Sequence, residues 1–275
     1  MWLIRILVVL AAVYLLLLVA LFFGQAQLIF PRGMVAEPSR PLPATAERLT
    51  LATADGETLA GLRIPPAESP QDAVALPLTV LGFSGNAWHA DDLAMFLHDM
   101  FPAATIVAFH YRGYAPSTGT PGAKAILSDA LAVYDHVSDL ANGNDGGRIV
   151  LVGFSLGSAV ATRVAAARSS AGLILVSPFD SMSALTRQHY PWVPAQWILR
   201  HRFPTVEWAG DVTAPVAILA AADDTLVPPE RTDALRARFA TLAYDRTIPG
   251  TGHVEIYRDP RFAPALREAL AALSK

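Results

Sequence analysis

The fold is decided by ten residues, Arg148-Ile-Val-Leu-Val-Gly-Phe-Ser-Leu-Gly157. Residues 149–152 form an apolar, β-branched run, which is typical of a fully buried strand. Residues 153–157 match the pattern G-x-S-x-G, and the small residues of 158–167 then predict a helix. In this strand–turn–helix order, the central serine projects from a sharp turn at the end of the strand. The stretch therefore predicts that Ser155 is a nucleophile.

The residues around this serine are expected to serve the same site. Gly153 and Gly157 are needed because side chains there would collide where strand and helix cross. The helix N-terminus favours negative charge, so the amide of Leu156 is a candidate oxyanion donor. A second donor is expected in the loop Gly82-Phe-Ser-Gly-Asn86, where Phe83 occupies the donor position and only its main chain is required.

Strands alternate with helices along most of the chain. Strands are predicted at residues 47–53, 58–64, 78–81, 104–109, 149–152, 173–176, 216–221 and 244–248. Helices are predicted at residues 91–100, 124–141, 158–167, 230–239 and 262–273. The alternation predicts an α/β fold with a mostly parallel sheet and helices on both faces, and Asp55-Gly56 predicts an antiparallel hairpin at one edge. In such sheets the ligand lies at the carboxyl ends of the strands.

Composition limits the possible functions. The 275 residues are enough for one large α/β domain, and the net charge of −3 gives no reason to expect a nucleic acid partner. The absence of cysteine excludes disulfides, thiol catalysis and cysteine-based zinc sites. No H-E-x-x-H motif or clustered His/Asp ligand set is evident, so a metal-dependent hydrolase is disfavoured and no cofactor or metal is expected.

The N-terminus predicts a membrane anchor. Residues 6–23 carry no charge and, at about 1.5 Å per residue, cover most of a roughly 30 Å hydrocarbon core. We therefore expect a single transmembrane helix within residues 1–24, a Pro-rich stalk over 25–46 and the globular domain over 47–275. The alternative is a cleaved signal peptide, with Gly24-Gln25-Ala26 as the cleavage site. The apolar run is longer than the usual signal core, which favours the retained anchor.

The orientation of this anchor follows less directly from charge. Arg5 and the terminal amine flank one side, and Arg32 and Arg40 flank the other, so the positive charges are nearly balanced. The short N-terminal tail before a long C-terminal domain favours an extracytoplasmic catalytic domain.

A serine nucleophile needs a base, and the base needs an acid that orients it. His253 lies in Pro249-Gly-Thr-Gly-His253, a glycine-rich loop after the last predicted strand. This position fits the chain order nucleophile, acid, base that follows a G-x-S-x-G turn. His253 is therefore the candidate base.

The acid is expected after the strand at 216–221. Asp223 and Asp224 stand there side by side, and spacing alone does not choose between them. Asp180, which follows the preceding strand, is a third candidate.

Five motifs resemble those of the α/β-hydrolase superfamily, and more narrowly its membrane-anchored serine hydrolase branch with a leading transmembrane helix and no large lid. They are Gly82-Phe-Ser-Gly-Asn86, Tyr111-Arg-Gly-Tyr114 with Ser117-x-Gly119-x-Pro121, Gly153-Phe-Ser-Leu-Gly157, Asp224-x-x-Val-Pro228 and Gly252-His253. The resemblance runs from about Leu28 to the C-terminus. It departs at Leu81-Gly82-Phe83, where relatives often have His-Gly-Asn, and at Ala221, where they often have Gly.

The resemblance implies roles for particular residues. It selects Asp224 as the acid, giving a Ser155–Asp224–His253 triad with the amides of Phe83 and Leu156 as the oxyanion hole. It gives Tyr111 and Arg112 structural or rim positions. It also implies a cap over about residues 181–210, whose aromatic and apolar composition fits either a packing layer or an apolar roof over the substrate.

These features favour a serine hydrolase that cleaves an ester or thioester acyl bond through an acyl-enzyme, in the manner of carboxylesterases and thioesterases. The anchor and the apolar cap suggest a small or lipid-like acyl substrate. A serine peptidase of the same fold is the related alternative, since the same triad cleaves amides. A non-catalytic, membrane-tethered interaction protein is the alternative from another class. The complete set of Ser, Asp and His favours the enzyme.

Overall fold

The computed structural model describes residues 1–67, 77–142 and 148–273. The strands in this part of the chain are β1 (Glu47–Ala52), β2 (Thr58–Ile64), β3 (Leu78–Phe83), β4 (Thr105–Phe109), β5 (Arg148–Phe154), β6 (Gly172–Val176), β7 (Val216–Ala221) and β8 (Leu242–Ile248). The α-helices are α1 (Trp2–Ile29), α2 (Ala90–Met100), α3 (Ala123–Asn142), α4 (Leu156–Ala167), α5 (Met182–His189), α6 (Ala195–Ile198), α7 (Thr205–Trp208), α8 (Pro229–Arg236) and α9 (Phe262–Ala272).

The strands form one eight-stranded sheet in the order β1-β2-β4-β3-β5-β6-β7-β8. The pairs β1–β2 and β2–β4 are antiparallel, and the pairs from β4–β3 through to β7–β8 are parallel. The predicted α/β fold, with an antiparallel hairpin on one edge of a parallel sheet, is therefore confirmed. Residues 142–147 are rich in Asn, Asp and Gly, which predicts a turn, and all of them except Asn142 lie outside the described residues.

Helices cover both faces of the sheet. On β5, Ile149 and Leu151 belong to the core cluster that α3 and α4 complete, whereas Val150 and Val152 belong to the cluster that α2 and α9 complete. All four side chains are buried. Because both faces of the strand are covered, its sequence is a continuous apolar run rather than an alternating one.

The N-terminal helix α1 is 28 residues long and, at about 1.5 Å per residue, reaches about 42 Å. By length and composition it can cross a membrane. It continues past the predicted boundary at Gly24, so the structure places residues 25–29 in the helix rather than in the stalk. The reason is contact with the folded domain, since Gln25 and Phe30 are both buried.

The predicted cap region lies between β6 and β7. It consists of the short helices α5, α6 and α7 and a 3-10 turn at Ala209–Asp211. The side chains of Val193, Ala195, Leu199 and Phe203 are buried within it. The cap is thus a small packed layer.

The crossing of β5 and α4 predicts a specific stability defect. An alanine Cβ at position 157 would lie 2.1 Å from the carbonyl oxygen of Phe83, and backbone at that place has little room to yield. We expect Gly157→Ala to destabilise the protein by about 1–3 kcal/mol or more. A lowered thermal midpoint of the detergent-solubilised full chain would show it.

Gly210→Ala is the matched control, because a Cβ at position 210 meets no atom within 4 Å. We expect it to change stability by less than about 0.5 kcal/mol. Equal midpoints for the two variants would contradict the packing argument.

Candidate active site

Ser155 lies at a sharp turn between β5 and α4. Its backbone has φ 49° and ψ −114°, a conformation that non-glycine residues rarely adopt. The turn is held by the hydrogen bond from Ser155 N to Val176 O, at 2.9 Å. A Cβ on Gly153 would lie 2.4 Å from Gly157 O, and one on Gly157 would meet Phe83 O. Glycine at both flanking positions is what permits this turn.

Three predicted side chains converge at the carboxyl ends of the parallel strands, where ligand sites of such sheets lie. Ser155 follows β5, Asp224 follows β7 and His253 follows β8. His253 Nε2 lies 3.0 Å from Ser155 Oγ, and His253 Nδ1 lies 2.7 Å from Asp224 Oδ2. With Nδ1–H donating to the carboxylate, Nε2 is free to accept the hydrogen bond of the serine hydroxyl.

The carboxylate of Asp224 is held in place by the main chain. Its Oδ1 accepts hydrogen bonds from the N–H groups of Leu226 at 3.0 Å and Val227 at 2.7 Å. The loop that carries His253 is joined to the loop that carries Asp224, because Asp223 N donates to Thr251 O at 2.9 Å. Both oxygens of Asp224 are therefore engaged, one with the loop and one with His253.

The structure separates the three candidate acids. Asp224 is buried and bonded to His253, whereas the Asp223 side chain is exposed. The carboxylate of Asp180 binds other groups: its Oδ2 lies 3.0 Å from Arg231 Nη1, and its Oδ1 accepts a hydrogen bond from Ser181 N. Burial raises the pKa of Asp180. Of the three, Asp224 is the one that contacts the histidine.

The loop that follows β3 lies against the start of α4. Phe83, at the end of β3, pairs with Gly153 of β5, and its carbonyl approaches Gly157. Leu156 is the first residue of α4, so its N–H is one of those that lack an intrahelical acceptor. The two predicted oxyanion donors thus belong to segments that meet beside Ser155.

The motif Tyr111-Arg-Gly-Tyr114 supports this loop. Tyr111 OH donates to Ser84 O at 2.9 Å, and Tyr114 OH donates to Asn86 Oδ1 at 2.8 Å. Burial raises the pKa of both tyrosines. They therefore stay protonated and keep donating.

Arg112 is buried and binds two carboxylates. Its Nε and Nη2 donate to Asp129 at 2.8 and 2.6 Å, and its other contacts go to Asp55 in the β1–β2 turn. The hydrogen bond from Arg112, aided by one from Thr53, holds the pKa of Asp55 well below its usual range. Arg112 thus ties the hairpin to α3 and has a structural role.

A cavity of about 570 Å³ opens beside Ser155. Its lining is mostly apolar and comes from α1, the loop after β3, the cap and the loop that carries Asp224. The lining residues are Leu21, Gln25, Leu28, Ile29, Asn86, Ser155, Leu156, Phe179, Met182, Leu185, Thr186, His189, Tyr190, Trp192, Val193, Ala195, Ile198, Leu199, Leu226 and Val227. This size and character fit a small-molecule ligand site.

A second cluster was not evident in the sequence. His89, Asp91 and His110 bring ligand-type atoms within 4.8 Å of one another, which corrects the expectation of no clustered His/Asp set. Asp91 binds Arg48 at 2.7 Å and His110 at 3.2 Å, and His89 Nδ1 accepts from Asp91 N at the start of α2. Burial and the nearby His110 lower the pKa of His89. Because these groups are already paired, the cluster ties the start of α2 to the end of β4.

Sequence reasoning missed the part of the site that α1 provides. Leu21, Gln25 and Leu28 line the cavity, although the apolar run by itself predicts only a membrane anchor separate from the domain. The role of Asn86 at the helix is likewise not evident from the sequence; its Nδ2 donates to Ile29 O and joins α1 to the loop after β3. Gln25, a polar residue at the end of an apolar run, was the available signal.

Comparisons with known proteins agree with the fold. A family model described as "Alpha/beta hydrolase family" matches residues 78–213. An uncharacterized protein of Mycobacterium tuberculosis is 33% identical over 221 residues, which cover 80% of this chain and 76% of that protein. The lysophosphatidylserine lipase ABHD12 of Gallus gallus is 30% identical over 193 residues, which cover 60% of this chain and 50% of that protein.

Solved structures resemble the chain in fold. An esterase of Pyrococcus furiosus superposes with a TM-score of 0.63 at 18% identity, covering 88% of this chain and 98% of that structure. An acetyl xylan esterase of Thermoanaerobacterium gives the same TM-score at 15% identity, covering 92% of this chain and 93% of that structure. From its sheet, its matched segment and its relatives, the chain belongs to the alpha/beta hydrolase family.

Proposed function

We propose that the protein is a serine hydrolase that cleaves an ester or thioester acyl bond through a covalent acyl-enzyme. The observation that carries the proposal is the continuous hydrogen-bonded series Ser155 Oγ, His253 and Asp224, with steps of 3.0 and 2.7 Å. A serine hydroxyl is a weak nucleophile alone, and a histidine oriented by a buried carboxylate is what activates it.

In the first half of the reaction, Ser155 Oγ attacks the acyl carbonyl carbon while His253 Nε2 takes the hydroxyl proton. The bond to the leaving alcohol or thiol then breaks, and His253 returns the proton to that group. In the second half, water attacks the acyl-enzyme by the same route and releases the acid. Asp224 orients the imidazole and stabilises its charged form without itself becoming protonated.

The developing oxyanion is assigned to the amides of Phe83 and Leu156. Leu156 lies at the N-terminus of α4, where oriented N–H groups favour negative charge. The hydrogen bonds from Tyr111 and Tyr114 hold the loop of Phe83 from behind, so the donors are fixed before substrate binds. These residues supply nucleophile, base, acid and oxyanion donors, so the proposed reaction uses no cofactor or metal.

The substrate is proposed to be a small or lipid-like acyl ester or thioester. The mostly apolar cavity beside Ser155 fits an acyl chain better than a peptide backbone, whose polar groups need partners. The names of similar proteins agree, since a lysophosphatidylserine lipase and two esterases are among them. This favours ester or thioester cleavage over the peptidase alternative.

We also propose that α1 is retained as a single-pass membrane anchor and that the catalytic domain is extracytoplasmic. The helix is long and apolar enough to cross a membrane. Its C-terminal residues contact the cap and the active-site loop, so the proposed unit is the anchor together with the domain over residues 47–275.

The nucleophile is tested by covalent labelling of the detergent-solubilised full chain with a fluorophosphonate probe. Wild type is expected to label, and Ser155→Ala to lose the label entirely, because the probe reacts with an activated serine hydroxyl. Ser183→Ala in the cap is the control and should label as wild type does. A folded wild type that does not label would instead support the non-catalytic, membrane-tethered alternative.

The acid is tested by a matched pair of adjacent substitutions. Asp224→Asn should lower kcat for p-nitrophenyl butyrate by about 10³- to 10⁴-fold, the loss known when the acid of the template triad becomes an amide. Asp223→Asn should stay within a few-fold of wild type, because the Asp223 side chain is exposed. Equal losses for the two variants, or none for Asp224→Asn, would contradict the assignment.

A further inference from the structure

One face of α1 is part of the cavity that contains Ser155. Leu21, Gln25 and Leu28 all line this cavity. Their spacing of four and three residues puts them on a single stripe of the helix. The N-terminal helix therefore provides one wall of the site, alongside the cap.

Polar contacts fix the helix in this position. The buried Gln25 donates from Nε2 to Ile198 O at 3.2 Å and accepts at Oε1 from Arg200 N at 2.6 Å. Asn86 donates to Ile29 O, which links the helix to the loop after β3. A buried amide with unmatched partners is costly, so these bonds define the register of α1 against the cap.

The contact between helix and cap extends far along α1. Tyr14 OH donates to Trp192 O at 2.7 Å, whereas Gln25 binds the cap eleven residues later. Residues 2–13, which precede Tyr14, reach only about 18 Å and cannot alone cross a roughly 30 Å hydrocarbon core. A spanning α1 therefore brings part of the stretch beyond Tyr14, with the cap bound to it, into the adjacent leaflet.

The outer surface of the cap suits that position. Trp197 is 77% exposed, Tyr190 54% and Trp192 48%, and Tyr190 and Trp192 also line the cavity. Tryptophan and tyrosine are enriched where protein meets the membrane–water interface, because one end of each side chain is apolar and the other polar. The mouth of the cavity thus carries aromatic groups that a bilayer can accept.

Charge on the cap points to the same surface. Within the cap, residues 181–206 contain three arginines and no acidic residue, and Glu207 is the first acidic residue after them. Arg187, Arg200 and Arg202 are all exposed. Arginines at the surface of a membrane are attracted to anionic headgroups.

We infer that α1 is both anchor and substrate-binding wall, and that the cavity takes the acyl chain of a bilayer lipid ester directly from the leaflet beside the cap. The apolar lining is continuous with the helix, so the chain moves between two apolar surroundings without crossing water. The carbonyl is then presented to Ser155, which lines the same cavity as Ile29 and Asn86. This inference rests on the proposed serine hydrolase function.

The wall is tested with p-nitrophenyl esters of increasing acyl length on the solubilised full chain. Leu21→Trp fills the cavity on the α1 side, and should lower the ratio of kcat/KM for the dodecanoate to kcat/KM for the butyrate by about ten-fold or more. Leu16→Trp is the control: Leu16 is 68% exposed and is not a lining residue. It should match wild type at every acyl length.

The outcomes separate this inference from the proposed function. Fluorophosphonate labelling reports the nucleophile whatever the acyl length, so it shows whether Ser155 is reactive in each variant. Two results for a Leu21→Trp variant that still reacts with the fluorophosphonate would contradict the role of α1 as a substrate-binding wall. One is unchanged activity on the dodecanoate, and the other is an equal loss of activity at both acyl lengths. A folded wild-type protein that does not react with the fluorophosphonate would instead refute the proposed serine hydrolase function.

The entrance is tested by spin labelling, which the absence of native cysteine makes direct. Two variants are labelled with a nitroxide, Trp197→Cys and the control Thr241→Cys. Thr241 is exposed and lies just before β8, at the amino end of that strand and away from the carboxyl ends where the site lies. Each full chain is placed in vesicles of phosphatidylcholine and phosphatidylglycerol. The label at 197 should be relaxed mainly by oxygen and that at 241 by a water-soluble nickel complex. Nickel accessibility as high at 197 as at 241 would overturn entry from the leaflet.

Discussion

Strand β5 and helix α4 approach each other so closely that there is no room for a side chain at their crossing. A Cβ on either glycine that flanks Ser155 would lie within 2.4 Å of a main-chain oxygen. This closeness forces the serine into its left-handed conformation and holds it at the sheet edge. The strain is tolerable because most residues of the strand and the helix that meet there are buried. Every other part of the site is arranged around a hydroxyl whose position is fixed by packing.

The remaining groups reach the serine because parallel strands end at a common edge. Asp224 and His253 come from loops after β7 and β8, and the main-chain bond from Asp223 to Thr251 joins those loops. The other side of the serine is supported by the tyrosines that bond to the loop after β3. Preorganisation of this kind is what allows hydrogen-bond donors to stabilise charge without rearranging during a reaction.

The sheet, the serine and the histidine could be predicted from sequence because each depends on a local pattern. A few neighbouring residues are enough to recognise each of these features: the apolar run of β5, the pentapeptide around Ser155 and the loop position of His253. The choice of Asp224 over Asp223 needed the family resemblance, since neighbouring residues share a spacing but not an orientation. The cluster of His89, Asp91 and His110 depends on where β4 ends relative to α2, which no local pattern encodes. The cavity wall on α1 depends on contacts more than a hundred residues apart in the chain.

The buried amide of Gln25 has a consequence for how the molecule is divided. Both its nitrogen and its oxygen form hydrogen bonds with the cap. The boundary between the helix and the globular part therefore runs through the cavity. Removing the first 29 residues to obtain a soluble fragment would leave Ile198 O and Arg200 N without these partners and would open one side of the cavity to water. Such a fragment would keep Ser155, Asp224 and His253 together and would still lack one wall of the cavity. For this chain, the smallest unit with a complete binding cavity includes the apolar helix.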